Sequence, residues 1–449
     1  DRFDAALNGL GGPTNDQFFN PFGSATLSQP GDATFNDPAV IDDFLSTATY
    51  DYKTSLFSVD GLVSGSLVET SRGPLAIAFG AQLRRESITG DLNDQFNAEN
   101  YLFLIGGPDF SGHRTVVAGF SEFNIPLTNS LNAQVALRHE AYQDGPDSTD
   151  PKIALMWQPS DQVSVRASFG TAFRAPSVFQ RFSSQTVLQN ISDPVTNSLI
   201  FRGVRTVGTE DLDPERADVF NAGATFRSDI GLTLSADYWR FDYTNIIVKE
   251  SAQAIIDANP FDPRVIREAG QVLRVDTNYV NAPAVQTYGF DIAAAYDFED
   301  AAGDVWRLSM DITHINKYLI QETPNGPKRD VSGSRNFRTF ARSLPKWRST
   351  LGATWERGQI GAATYIKTVS GYFDDQNSAP IDNHVTVDAQ IRFIFAQPSL
   401  SGKAAPIVVL GVTNLFDEDP PPVATNVGYD SKVHDPRGRV VYLRLSSAF

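Results

Sequence analysis

The sequence contains no cysteine, which excludes a disulfide-stabilised domain and a metal site built from thiolate ligands. It has no long apolar run either: the longest is Ala404–Val412, whereas a membrane-spanning helix needs about 20 apolar residues. Positive charge is scarce, since 37 Lys and Arg stand against 53 Asp and Glu and the formal net charge is −16. Nucleic-acid binding is therefore disfavoured, because phosphate recognition requires a basic surface.

The chain is rich in apolar side chains that alternate with polar ones. Hydrophobic residues make up 41% of the 449 residues, and the alternation is regular over 131–140, 163–170 and 441–449. A period of two predicts β-strands, and strands of about ten residues exceed the length of about 5–6 that is usual in globular proteins. Long strands with one apolar and one charged face are typical of a barrel embedded in lipid around a wet interior. A soluble β-sandwich or propeller shares the alternation, but the strand length argues against it.

Along the whole chain the alternation predicts about fifteen strands. They cover residues 52–70, 75–90, 114–127, 130–143, 150–158, 162–173, 216–228, 231–249, 283–298, 304–318, 347–357, 359–372, 384–396, 405–414 and 438–449. Tight turns alternate with mostly long connections between these strands, and only 144–149 and 397–404 depart from the rule. Transmembrane barrels place short turns in the periplasm and long loops outside the cell. The predicted fold is therefore all-β, a transmembrane antiparallel β-barrel.

Strand parity bears on how much of the barrel this chain contains. If the turn at 71–74 is periplasmic, the first and last predicted strands both run downward and the count is odd, whereas single-chain bacterial barrels have an even count. We therefore expect residues 1–51 to form an extracellular loop region and residues 52–449 to form the C-terminal part of a larger barrel. A miscount by one strand is the alternative.

Six short motifs occur in a fixed order along the chain. They are Gly170-Thr-Ala-Phe-Arg-Ala-Pro-Ser177, Leu212-Asp-Pro-Glu-Arg216, Tyr288-Gly-Phe-Asp291, Leu344-Pro-Lys-Trp-Arg348, Val412-Thr-Asn-Leu-Phe-Asp417 and Pro436-Arg-Gly-Arg439. In this order they resemble the C-terminal barrel of TonB-dependent outer-membrane receptors, and the resemblance covers essentially the whole chain. Segments 6–12 and 19–23 resemble a surface loop of large alphaproteobacterial receptors of that family. The motif residues that we single out are Arg174, Ala175, Pro176, Asn414, Leu415, Phe416 and the terminal Phe449.

The resemblance implies energised uptake of a scarce solute across the outer membrane of a Gram-negative bacterium. Such receptors have about 22 strands around an N-terminal plug that contacts the TonB complex. Nothing in residues 1–51 resembles a plug, so we expect the plug and the remaining strands upstream or on a second chain. Other expected partners are outer-membrane lipid, lipopolysaccharide and an unknown solute, such as a siderophore, cobalamin or an oligosaccharide. A passive diffusion porin and a structural barrel in an envelope complex are the two alternatives.

Enzyme signatures are absent from the sequence. The five His residues form no H-E-x-x-H pattern, Gly402-Lys403 lacks the upstream glycine of a phosphate loop, and no G-x-S-x-G is present. We therefore predict that the chain is not an enzyme and needs no cofactor. The carboxylates of Asp374, Asp375 and Asp382 can either hold Ca²⁺ through their oxygens or simply solvate a loop, and we favour solvation.

Two segments are candidate ligand sites. Segment 174–215 combines Arg with Phe, which suits an anionic and partly aromatic solute, although a self-packed loop is the alternative. Segment 328–348 holds seven basic residues and one acid, so it can bind a ferric-siderophore-type anion or lipopolysaccharide phosphates, and we favour the lipopolysaccharide. In the loop 250–282 we predict short helices at 252–258 and 262–270. The predicted ligand-contacting residues are Phe179, Arg181, Phe182, Arg202, Arg205, Arg335, Arg338 and Arg342.

Overall fold

The computed structural model describes residues 2–23, 29–32, 34–101, 106–145, 147–322, 326–395, 406–425 and 427–447. Its strands are β1 (Tyr50–Thr70), β2 (Gly73–Leu92), β3 (Phe110–Pro126), β4 (Leu131–Tyr142), β5 (Ser148–Ser160), β6 (Val163–Arg174), β7 (Ser184–Asp193), β8 (Ser198–Val207), β9 (Glu215–Arg227), β10 (Leu232–Lys249), β11 (Val265–Glu268), β12 (Gln271–Glu299), β13 (Val305–Gln321), β14 (Arg329–Asp330), β15 (Trp347–Arg357), β16 (Ile360–Val369), β17 (Tyr372–Asp374), β18 (Ala379–Ile381), β19 (His384–Ile394), β20 (Ile407–Thr413) and β21 (Val440–Ser446). The helices are α1 (Arg2–Leu7), α2 (Pro38–Phe44), α3 (Asp94–Asn97), α4 (Val178–Phe182) and α5 (Ala252–Ala258). None of the helices in these described ranges is long and apolar enough to cross a membrane.

Fifteen of these strands form one antiparallel sheet, the main sheet. Each strand of the main sheet pairs with the next main-sheet strand along the chain. The smaller strands lie in the connections between them. The predicted all-β antiparallel class is confirmed, and every predicted strand corresponds to one strand of the main sheet. The largest difference is in β12, which begins at Gln271 rather than at 283, because its residues 271–278 lie outside the main sheet and pair with β8 and β11. The members of the main sheet are β1–β6, β9, β10, β12, β13, β15, β16 and β19–β21, and the two-residue β14 adds a short antiparallel pairing to β13.

The two faces of the main sheet differ in polarity in the way the alternation predicted. Large apolar side chains such as Leu137 and Ile153 stay 46% and 47% exposed on one face. On the other face, ion pairs such as Arg84–Glu86 are largely shielded, with side chains 22% and 23% exposed. A soluble sheet would bury its apolar face and expose its charges. The observed arrangement is the one that a lipid solvent outside and water inside require.

The connections of the main sheet sort by length onto its two ends. Turns at 71–72, 127–130, 161–162, 228–231, 300–304 and 358–359 lie at one end. The opposite end carries the loops, which contain α3–α5 and the six smaller strands β7, β8, β11, β14, β17 and β18. The turn before β10 requires glycine at position 231. Gly231 has a φ of +88°, and a Cβ there would collide with the Asp297 carbonyl oxygen.

The two helices predicted within the loop 250–282 have different outcomes. Helix α5 has the predicted bounds, and Ser251 caps it by accepting a hydrogen bond from the Ala254 N–H. The predicted helix at 262–270 is wrong, because this segment is strand β11 followed by a tight turn. Val265 is buried against the loop core, and Ala269 and Gly270 both have positive φ, which closes a hairpin to β12.

The region before β1 contains α1 and α2, which lie against each other. Phe3, Phe19 and Phe44 form a triangle of ring contacts with centroid distances of 5.8, 5.2 and 5.0 Å. Asp37 caps α2 by accepting a hydrogen bond from the Ala39 N–H at 2.9 Å. The assignment of residues 1–51 to an extracellular loop region stays a prediction.

The opposite polarity of the two faces predicts opposite responses to an added charge. Leu137→Arg should destabilise the folded barrel by about 2–4 kcal/mol, because it places a cation in lipid in the middle of β4. Gln134→Arg should be nearly neutral, because Gln134 points to the polar face and already donates to the Glu122 carboxylate. Urea unfolding of the whole receptor in lipid vesicles measures both changes, and equal losses at the two sites would contradict the assignment of faces.

Candidate functional site

The loops at one end of the main sheet form two packed units. We define loop body I as residues 93–101, 106–109, 175–214 and 250–282, and loop body II as residues 326–346, 370–383, 414–425 and 427–439. Loop body I has a small sheet of its own, in which β7 pairs with β8, β8 runs parallel to the first half of β12, and β12 pairs with β11. Its core consists of Ile191, Val204, Ala252, Ile255, Ile256, Val265, Val272 and Val275.

A ring of four charged residues joins segments 93–101, 175–214 and 250–282 of loop body I. Arg205 binds Asp276 at 2.9 Å and Glu99 at 2.8 Å, and Arg274 binds the same two acids at 2.7 and 2.8 Å. Arg274 is only 8% exposed, and the paired carboxylates compensate the burial of its charge. The ring therefore holds residues 93–101 against the small sheet.

The predicted ligand residues of segment 174–215 lie within loop body I or at its junction with the barrel. Phe179 packs edge-on against Phe110 with ring centroids 6.4 Å apart. Arg181 pairs with Asp144, donates to the Glu210 carbonyl at 3.0 Å and lies over the ring of Phe182. Arg202 donates to the carbonyl oxygens of Val272 and Phe201 at 2.8 and 3.1 Å. Together with Arg205, these guanidinium groups already have partners inside the protein, which fits the self-packed alternative.

Sequence reasoning missed one buried ion pair in loop body I. Asp193 is fully buried at the end of β7 and accepts hydrogen bonds from Arg267 at 2.8 and 2.9 Å. The bond from the Arg267 guanidinium lowers the pKa of Asp193 to about 2. Because the two residues are 74 positions apart, no local pattern in the sequence indicates that they meet.

Loop body II is held by contacts between three loops. Arg335 binds the nearly buried Asp374 at 3.0 Å, while Asp375 accepts hydrogen bonds from the backbone N–H groups of Phe337 and Arg338 at 2.6 and 3.2 Å. Asp374 and Asp375 thus use their oxygens within the protein. Across the described residues, no group of three or more His, Cys, Asp or Glu side chains is arranged to hold a metal ion.

Two of the predicted ligand residues differ from the others in loop body II. Arg338 and Arg342 are exposed, and among the described residues neither guanidinium has an ion-pair or hydrogen-bond partner. Both lie on an ordered loop, because Asn336 donates to the carbonyl oxygens of Val331 and Arg342 at 2.9 and 2.8 Å. They are free cations on the same loop as the paired Arg335.

The first two sequence motifs meet at the corner where β6 leaves the main sheet. Arg174 binds Glu215 through two hydrogen bonds of 2.5 Å, and Glu215 also accepts from the Ile247 N–H at 2.7 Å. The Pro176 carbonyl accepts a hydrogen bond from the buried Arg114 at 2.6 Å, and Ala175 stands between these two anchors. The motif residues therefore fix the direction in which the chain enters loop body I.

The last two motifs meet in the same way next to β20 and β21. Asn414 and Asp417 both have positive φ, and the Asn414 side chain bonds both the N–H and the carbonyl of Glu418. Asp417 accepts a hydrogen bond from the Arg439 N–H at 2.7 Å. Leu415 and Phe416, between the two polar residues, are 37% and 71% exposed. Phe449 lies outside the described residues.

Comparison with known proteins decides the family. A sequence model of the domain described as "TonB dependent receptor-like, beta-barrel" matches residues 3–415. The chain belongs to the TonB-dependent receptor family. This confirms the resemblance that the six motifs indicated, and it confirms the predicted location, because the family consists of outer-membrane β-barrel proteins of Gram-negative bacteria. The family is one of receptors and transporters rather than enzymes.

Solved structures of receptors share this fold at low sequence identity. The siderophore receptor PirA from Acinetobacter baumannii is 15% identical, with a TM-score of 0.61 over 98% of this chain and 57% of that chain. The ferric enterobactin receptor PfeA from Pseudomonas aeruginosa is 15% identical, with a TM-score of 0.62 over 88% of this chain and 54% of that chain. The copper transporter OprC is 13% identical, with a TM-score of 0.57 over 89% of this chain and 57% of that chain. This receptor chain thus spans a little over half the length of these structures, and no curated protein sequence matches it.

The buried pair Arg267–Asp193 predicts a large and local effect on loop body I. Arg267→Ala should destabilise this unit by about 3–5 kcal/mol, because it leaves the Asp193 carboxylate buried without its cation. Arg264→Ala is the matched control: Arg264 lies three residues earlier, is 38% exposed and should contribute only about 0–1 kcal/mol. Hydrogen exchange of β7 and β11 in the whole receptor measures both effects, and equal losses would contradict the prediction.

The same pair predicts the pH range in which loop body I is stable. The pKa of Asp193 is lower in the folded protein than its value of about 4 in an unfolded chain. The pair therefore contributes fully above about pH 4, and its contribution disappears as the pH falls toward 2. Exchange rates of β7, corrected for the intrinsic effect of pH, should stay constant from pH 7 to about 4.5; a rise within that range would contradict this prediction.

Proposed function

We propose that the whole receptor imports a scarce solute across the outer membrane with energy supplied through TonB. Membership of the TonB-dependent receptor family over residues 3–415 supports this proposal. The shared fold with two siderophore receptors and a copper transporter is consistent with it. A passive porin or a purely structural barrel has no comparable support.

We propose that the whole receptor contains further strands and a plug in addition to the described residues. Within the described residues, β1 pairs only with β2 and β21 pairs only with β20, so each end of the main sheet has one open edge. Unpaired backbone groups in lipid cost several kcal/mol each, because no water is present to bind them. We therefore expect further strands to complete the barrel, and a plug to supply the contact with TonB.

We infer that the solute is an anion of the ferric-siderophore class and that loop body II binds it. The observation that carries this inference is the pair of free guanidinium groups at Arg338 and Arg342, in a chain whose net charge is −16. Guanidinium groups bind carboxylate and other planar oxygen anions through paired hydrogen bonds. Most other arginines of the two loop bodies are already neutralised by acids or bound to carbonyl oxygens. Arg338 and Arg342 are therefore available to a solute that arrives from outside.

Replacing Arg338 and Arg342 tests the proposed binding site. In the full-length receptor, the double variant Arg338→Ala, Arg342→Ala should raise the Kd for its ferric siderophore by at least about 100-fold, since each of the two charge-assisted hydrogen bonds contributes about 1.5–3 kcal/mol. Fluorescence titration against a panel of ferric catecholates, ferric hydroxamates, cobalamin and oligosaccharides measures the change. Arg437→Ala is the control, because Arg437 is an exposed cation of loop body II that already pairs with Asp435.

The outcomes separate the competing interpretations. A siderophore Kd that is unchanged in the double variant would contradict the site, and loss of bound lipopolysaccharide in that variant would favour a role of these residues at the membrane rim. Uptake of the solute that persists in cells without TonB would contradict energised transport and favour the porin.

A further inference from the structure

Four buried polar side chains form a hydrogen-bonded chain where loop body II meets the start of β19, and they have no part in the proposed binding site. Tyr372, His384, Asp430 and His434 are only 6%, 8%, 3% and 6% exposed. They come from β17, from the start of β19 and from the loop 414–439, and they adjoin a small apolar cluster of Tyr372, Ile381 and Val423. The four residues therefore join two loops that the sequence places far apart.

The distances define a continuous hydrogen-bonded chain. The Tyr372 hydroxyl lies 2.9 Å from Asp430 Oδ2 and 3.2 Å from His434 Nε2. His434 Nδ1 lies 3.0 Å from His384 Nδ1. His384 Nε2, at the end of the chain, is buried and has no hydrogen-bond partner.

The carboxylate of Asp430, at one end of the hydrogen-bonded chain, determines which atom donates and which accepts in each hydrogen bond. A carboxylate only accepts, so Tyr372 donates its single proton to Asp430 and must accept from His434 Nε2–H. Neutral His434 then has a lone pair on Nδ1, which accepts from His384 Nδ1–H. In this arrangement both imidazoles are neutral, and the free Nε2 of His384 carries a lone pair.

An added proton has no favourable position in this chain. On His384 Nε2, it would create a buried N–H with no acceptor. On His434 Nδ1, it would oppose the N–H of His384, unless His384 moved its own proton to the unpartnered Nε2. Either way the cation stays out of water, and the positive charges near the chain, Arg348 beside Tyr372 and His434 and Arg335 beside Tyr372, oppose it. Asp430 is the one charge of the cluster that favours it.

We propose that these four residues form an acid-sensitive latch, which holds residues 370–384 and 427–435 together when both histidines are neutral and releases them when one is protonated. The latch does not depend on which solute the receptor imports. Burial and the neighbouring His384 lower the pKa of His434 to about 4, well below the value of about 6.5 for an unfolded chain. The unfolded or released loop therefore binds more protons between pH 6.5 and 4, and the latch weakens as the pH falls through that range.

Hydrogen exchange in the whole receptor, reconstituted in nanodiscs, tests the latch. Backbone amides of 370–383 and 427–435 should show an opening constant that rises by up to about tenfold for each pH unit from 6.5 to 4, after correction for intrinsic exchange. Loop body I is an internal control, because its buried pair Arg267–Asp193 keeps its charge throughout this range. An opening constant of loop body II that does not change with pH would overturn the proposal.

Substitutions test whether the four hydrogen-bonded side chains cause the pH dependence of loop opening. His434→Gln should remove the pH dependence yet keep the loops closed, because the amide can donate to Tyr372 and accept from His384 without titrating. His139→Gln is the control: His139 is an exposed histidine at the end of β4 that bonds Thr149, and the variant should retain the pH dependence of the wild type. Identical pH profiles in His434→Gln and the wild type would overturn the proposal.

A direct titration keeps the proposal testable if His434→Gln fails to fold. In the wild-type receptor, the NMR signals of His434 should show an imidazole that stays neutral to about pH 5. A set of histidines that all titrate near pH 6.5 would overturn the latch.

Discussion

The backbone ladder of the main sheet is the constraint on which the rest of this receptor chain depends. In lipid no water is available to unpaired N–H and C=O groups, so each strand must pair with a neighbour over its whole length. That requirement explains why the strands are long and why they pair in chain order, with few register shifts among the fifteen members. It also sets the side-chain pattern. Successive side chains of a strand point to opposite faces, so apolar residues that face lipid must alternate with polar residues that face water.

The ladder ends at the membrane surface, and the loops beyond it are stabilised by different interactions. Loop body I has its own small sheet and apolar core, to which a ring of two arginines and two acids adds. Loop body II has smaller apolar clusters and relies more on polar contacts, such as Arg335 with Asp374 and the four-residue chain at His434. In our proposal the two units respond differently to pH. The Asp193 carboxylate keeps its charge in weak acid, whether or not loop body I opens, whereas the imidazole of His434 takes up a proton in weak acid once loop body II opens.

The positions of the motifs in the structure give their order along the chain a physical reason. The first pair meets at the corner of β6 and β9 through Arg174 and Glu215, and the last pair meets between β20 and β21 through Asp417 and the backbone of Arg439. Each pair lies where strands of the main sheet change into loop, so backbone groups lose their ladder partners and side chains must replace them. The motifs therefore carry the geometry of the barrel rim, and the ligand contacts that we propose lie outside them.

Much of the fold was determined by the sequence alone, because alternation with period two, the lengths of the connections and the local chemistry of turns are properties of neighbouring residues. Those signals located all fifteen strands of the main sheet and helix α5, but misassigned 262–270, where partners distant in the chain turn a short helical pattern into β11. The candidate site could be predicted only as two basic segments. Which arginines are free was decided by the tertiary structure, since the acids that neutralise Arg205 and Arg274 include Glu99, which is 106 and 175 positions away. Charge neutralisation and burial act through space, so arginines that look alike in sequence become a structural tie at Arg205 and an open cation at Arg338.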